Sequence, residues 1–153
     1  MILAIDPGNE QSGFVLFEDG RIVESGILAN LEMLREIGRT SVAHPRVAIA
    51  IEMVASYGMP VGADIFETCV WIGRFVEHAA GRGIDARLIY RRDVKMHLCA
   101  SPRAKDGNIR QALIDKLGAP GTKKAPGVTY GVKSHAWAAL AIAVTATELP
   151  EAA

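Results

Sequence analysis

Short apolar runs broken by turn residues open the chain. Residues 1–5 are apolar and stop at Asp6-Pro7-Gly8, the pattern of a strand entering a turn. Residues 13–17 form a second apolar run, and Glu18-Asp19-Gly20 is a hairpin signal. Residues 21–28 read as a third strand, so the chain begins as an antiparallel meander. Asn30 is placed to cap a short helix to about residue 37, with Leu31, Leu34 and Ile37 on one face. Residues 46–54 are apolar and β-branched, interrupted only by Glu52; a run with so little alternation predicts a central strand covered on both faces.

The second half changes period. A loop at 57–62 precedes a long helix over 63–80, with Ile65, Phe66, Cys69, Ile72, Val76 and Ala80 at helical spacing and glycines at its end. Residues 86–90 predict a fifth strand with basic residues just beyond it. A helical turn at 93–98 and a helix over 105–117 follow, the latter stopped by Gly118. A proline- and glycine-containing loop spans 119–132. Ser134 is placed to cap a last helix over 135–147, apolar nearly all round and so buried. The order β-β-β-α-β-α-β-α-α predicts an α/β fold: a mixed five-stranded sheet, three antiparallel strands with parallel additions, and helices on both faces.

A chain of 153 residues, half of them apolar, suffices for one domain with its own core. A single domain over 1–149 with a short tail at 150–153 is expected. Cys69 and Cys99 lack metal-ligand spacing, which favours a reducing cytoplasm. The opening residues carry no basic leader and no run is long enough to span a membrane, so no membrane role is expected. Net charge is zero, but its distribution is uneven. Residues 1–86 hold twelve acids and six bases, whereas residues 87–124 hold ten bases and three acids. The second segment can present a phosphate-facing surface on a neutral protein.

Three residues clash with their surroundings. Asp6 ends the first strand, Glu52 interrupts the fourth, and His135 stands at the start of the apolar last helix. Carboxylates in apolar strands are costly unless paired, protonated or metal-bound. Strands one and four are neighbours in the inferred sheet, so Asp6 and Glu52 can face one another. Two close carboxylates repel unless a divalent cation lies between them, and magnesium takes oxygen ligands while keeping several waters. A turn role for Asp6, a solvent-reaching Glu52 and an ordinary helix-end His135 remain the plainer readings.

Ile2-Leu3-Ala4-Ile5-Asp6-Pro7-Gly8 with Ser12-Gly13-Phe14-Val15 resembles the opening strand and hairpin of the RuvC family of junction resolvases, members of the RNase H-like superfamily. Ala48-Ile49-Ala50-Ile51-Glu52 resembles their second motif. Ala104-Lys105-Asp106-Gly107-Asn108-Ile109-Arg110-Gln111-Ala112-Leu113 resembles the segment after their fifth strand. His135-Ala136-Trp137-Ala138-Ala139-Leu140-Ala141-Ile142-Ala143 resembles their closing motif. The similarity runs in order over nearly the whole chain.

The resemblance implies a metal-dependent endonuclease that hydrolyses DNA phosphodiesters at Holliday or other branched junctions. It implies Mg2+ or Mn2+ as cofactor, branched DNA as partner, and a homodimer with no nucleotide cofactor. Asp6, Glu52 and His135 fall on the metal and catalytic positions. Lys95, Arg103, Lys105 and Arg110 would grip phosphates, and Tyr57 would stack on an unpaired base. Phe66, Val70, Trp71 and Phe75 offer a dimer interface. One residue departs from the pattern: Ala138 stands where the family has a second Asp, with Glu67 and Asp64 as the nearest substitutes by chain logic. That departure keeps open a catalytically degenerate junction-binding module. A nuclease on structured RNA and a nucleotide-binding domain of the actin and sugar-kinase kind stay open beside it. A phage or prophage source fits the small size and altered motif.

Overall fold

A computed structural model describes residues 1–149. The suggested tail at 150–153 lies outside the described residues. The strands are β1 (Ile2–Asp6), β2 (Gln11–Glu18), β3 (Arg21–Ala29), β4 (Ala48–Met53) and β5 (Ala86–Tyr90). They form one sheet in the order β3-β2-β1-β4-β5. The pairs β1–β2 and β2–β3 are antiparallel, while β1–β4 and β4–β5 are parallel. This is the mixed five-stranded α/β architecture expected.

The helices are α1 (Asn30–Ala43), α2 (Ala63–Ala80), α3 (Arg91–Cys99), α4 (Asp106–Leu117) and α5 (Ala136–Glu148). Alternation along β1 divides the core into two layers. Leu3 and Ile5 point toward α1 and α2, where Met33, Ile37, Ile72 and Phe75 close one cluster. Ala4, with Ala50 of β4, points toward α5 and meets a helix rich in small residues. Alanine on both sides lets α5 lie close to the central strands. Burial of α5 around nearly its whole circumference removes any amphipathic pattern, as its sequence implied.

Four local expectations need correction. First, α1 runs to Ala43 rather than 37, because its last turns are held by polar contacts instead of an apolar stripe. Arg39 pairs with Glu36 and with Glu24 of β3, and buried Thr40 donates to Glu36. Second, the helical turn at 93–98 is a nine-residue helix that begins directly at the end of β5. Third, Asn30 is not a cap. It is the first residue of α1, and its side chain reaches back to accept from Ser12 Oγ at 2.6 Å and donate to Gly8 O at 2.9 Å. Fourth, Ser134 makes no side-chain cap to α5; His135 occupies that position.

The β1–β2 turn is therefore braced from α1. Gly8 is required within it, since a Cβ there would stand 2.4 Å from Gln11 O. The brace fixes the backbone directly after Asp6.

Candidate active site

Parallel pairing decides where the first two carboxyl groups meet. Ile5 of β1 is in register with Ile51 of β4, so the next residues, Asp6 and Glu52, emerge side by side at the carboxyl ends of neighbouring strands. Such ends, with loops and helix termini around them, are where open α/β sheets hold ligands. Asp6 and Glu52 sit in the floor of a cleft of about 530 Å³ that Arg91, Asp106, Arg110, His135 and Ala138 also line.

Gly13 brings the imidazole to the acids. It lies opposite Asp6 across the β1–β2 ladder. A Cβ on Gly13 would stand 2.6 Å from the backbone of His135, too close for any side chain. The bare backbone lets the start of α5 settle on the sheet, and His135 Nδ1 then lies 3.0 Å from Asp6 Oδ2. Sequence reading of this glycine as part of a motif missed its role, because the neighbour that demands it is the last helix.

Both carboxyl groups are largely hidden from water, with side-chain exposures of 14% for Asp6 and 10% for Glu52. Burial pushes Glu52 up from its ordinary 4.5 to about 7; the adjacent charge of Asp6 adds to this, and Arg91 opposes it. Burial also raises Asp6, against the lowering pull of His135, Glu52 and Arg91. Without a cation between them, burial and mutual repulsion therefore both favour the protonated form of Glu52.

Arg91 is the resident cation. It is the first residue of α3, immediately beyond β5, the parallel neighbour of β4. One guanidinium nitrogen lies 3.4 Å from Glu52 Oε1, and another contacts Asp106 at the start of α4. Neither Arg91 nor Asp106 was singled out as a site residue from the sequence. The available signal was the position of Arg91, one step past a strand end next to the strand bearing Glu52. Arg110 of α4 stacks over Trp137 of α5, 4.7 Å from the ring centroid, inside the same cleft.

The remaining sequence candidates are dispersed. Arg103 and Lys105 are exposed on the segment leading to Asp106 but do not line the cleft, and Lys95 is half-buried on α3. Tyr57 is 61% exposed in the loop after β4, with a positive φ of 47°. Glu67 is exposed on α2 and does not line the cleft; Asp64 lies near Asn9, at 3.4 Å. On α2, Phe66 and Val70 face solvent, whereas Phe75 is fully buried and belongs to the core rather than to any interface.

The donor set limits what ion the cleft suits. Among the described residues, no group of three or more His, Cys, Asp or Glu is arranged to hold a metal ion. His135 is turned onto Asp6 instead of sharing a common point with both acids. Two buried, mutually repelling carboxylates nevertheless suit one hard divalent ion that keeps most of its waters. Next to His135 the cleft offers only the methyl group of Ala138, so the site is poor in donors for a second ion.

No family model matches the sequence, and no curated protein matches it. Solved structures do. Thermus thermophilus RuvC in complex with a Holliday junction substrate superposes with a TM-score of 0.72 at 19% identity, over 95% of this chain and 92% of that one. A second Thermus thermophilus RuvC structure gives 0.70 at 20% identity over the same shares. The chain has the RuvC-like form of the RNase H-like fold.

Proposed function

From this fold, we propose that the chain is a metal-assisted, structure-selective endonuclease that hydrolyses phosphodiesters of branched DNA. The carrying observation is the pair Asp6 and Glu52, buried together at the carboxyl end of the sheet and open to a cleft that also holds arginines. Acids alone would repel a phosphate. Acids at the floor with cations around them suit a phosphate that arrives with a metal ion.

Asp6 and Glu52 would hold Mg2+ or Mn2+, which supplies a bound water of lowered pKa and neutralises charge at the phosphate. The protein's own groups do the rest. Glu52, as a carboxylate, would be one of the two ligands that hold the ion. His135, relieved of its contact with Asp6, is exposed at the cleft mouth and accepts a proton from the attacking water. Arg110, held flat on Trp137, presents donors to a backbone phosphate, and Lys105, Arg103 and Lys95 extend that grip. Such contacts fix position without reading bases, so preference for branches comes from DNA shape. Tyr57 offers a stacking face to an unpaired base. Phe66 and Val70 are the exposed apolar residues proposed for a homodimer contact, which would set two sites against the two-fold symmetry of a junction. The free thiols Cys69 and Cys99 accord with a cytoplasmic location alongside DNA.

Ala138 supports one competing reading, a junction-binding module that does not cut. A labelled four-way junction incubated with Mg2+ or Mn2+ separates the two. The nuclease reading expects nicks near the branch that Asp6→Asn and Glu52→Gln both abolish. Binding without cleavage favours the module, and preferential cutting of structured RNA redirects the substrate assignment.

A further inference from the structure

The charge balance of the cleft points to a role for Arg91 that the motif residues do not cover. Asp6 and Glu52 supply two acids at the floor, and Asp106 adds a third on the wall. Arg91 spans from Glu52 to Asp106 on the lining of the cleft. Ala138 lines the same cleft and offers no donor for a second ion.

The two contacts of Arg91 are unequal in their hold. Asp106 is 85% exposed, and an ion pair so open to water is weak. Glu52 is 10% exposed, so its contact is the better shielded one. An incoming phosphate can therefore draw one edge of the guanidinium away from Asp106 while the other edge stays on Glu52. The planar fork matches that task, since it can serve a carboxylate and a phosphate at once.

We propose that Arg91 is the second cation of this site, a built-in guanidinium that shares charge neutralisation at the phosphate with a single bound ion, so that the chain works without a second one. The inference rests on the phosphodiesterase reading above. In the reaction, the oxygen of water bonds to phosphorus as the bond to the leaving sugar oxygen breaks. One proton of the water passes to His135 and the leaving oxygen is protonated from solvent. Arg91 takes no part in bond making; it faces a non-bridging oxygen and balances the charge that accumulates there.

Two measurements on the full chain test this. Mn2+ added to the metal-free protein and followed by electron paramagnetic resonance gives the number of ions bound and their affinity. Cleavage of a four-way junction at saturating Mn2+ gives the rate. The parent should bind one Mn2+ per chain. Arg91→Gln should bind it about tenfold more tightly, because a competing positive charge is gone, yet cut about a hundredfold more slowly. Arg91→Lys, which keeps the charge but loses the fork, should retain parental Mn2+ affinity and an intermediate rate. A merely structural role would not tighten metal binding while slowing cleavage. Two Mn2+ per parent chain, or unchanged cleavage by Arg91→Gln, overturns the proposal. A parent that binds one Mn2+ but never cuts removes the nuclease reading instead, and the response of Mn2+ affinity to Arg91→Gln still decides whether the guanidinium and the ion share the site.

Discussion

Replacing Glu52 by Gln should make the metal-free protein more stable at alkaline pH, although it removes a proposed ligand. In the unfolded chain Glu52 ionises near its ordinary 4.5, whereas in the folded protein it does so only near 7. Between those values the folded state binds more protons than the unfolded state. Stability contributed at Glu52 is therefore greatest below about pH 4.5, falls as pH rises toward 7, and is flat above that. The full displacement corresponds to roughly 3 kcal/mol. Glutamine cannot ionise, so it escapes this loss, but it gives up the 3.4 Å contact with Arg91, a cost held to about 1 kcal/mol because Arg91 stays paired with Asp106. A net gain of about 2 kcal/mol should raise the melting temperature by roughly 4–8 °C for a chain of this size. Thermal melts at pH 5 and pH 8 in chelator would measure it: the two proteins should be close at pH 5 and separate at pH 8. Added Mg2+ should then stabilise the parent and leave the variant unmoved. If Glu52→Gln is equally or less stable than the parent at pH 8, the picture of two acids forced together by burial is wrong.

Other perturbations probe the supports of the site. Gly13→Ala places a methyl group against the backbone of His135 and should cost about 1–3 kcal/mol; urea titration would register it, and junction cleavage should fall with it. Ala138→Asp adds a donor one helical turn from His135 on the wall of the same cleft. It should bring a second Mn2+ to each chain, detectable by the same resonance titration, and a count left at one would show that position 138 does not reach the ions. Arg110→Ala should weaken junction binding across sequences and lower the salt slope by about one; an unchanged slope in filter binding would remove Arg110 from the phosphate contacts.

How far the sequence could be read depended on the range of the forces involved. The five strands followed from local periodicity and turn chemistry, and the inferred neighbour relation of β1 and β4 was enough to bring Asp6 and Glu52 together. Both acids announced themselves by standing in apolar strands, where an unpaired charge is expensive. The later turns of α1 were missed because Arg39, Glu36, Glu24 and Thr40 hold them through polar contacts that leave no hydrophobic stripe. Arg91 was hidden for a related reason. Its partners, Glu52 and Asp106, stand 39 and 15 residues away in the chain, and only the sheet and the α3–α4 packing bring them into reach. His135 was found by its place at the start of an apolar helix, but its orientation onto Asp6 depends on the close approach allowed by Gly13.

The most direct measurement is a crystal of the chain soaked in Mn2+ and examined for anomalous scattering. One peak bridging the carboxyl groups of Asp6 and Glu52, with Arg91 still against Glu52, is the predicted result. A cleft without a peak at saturating Mn2+, or an ion held away from these two acids, would contradict the account.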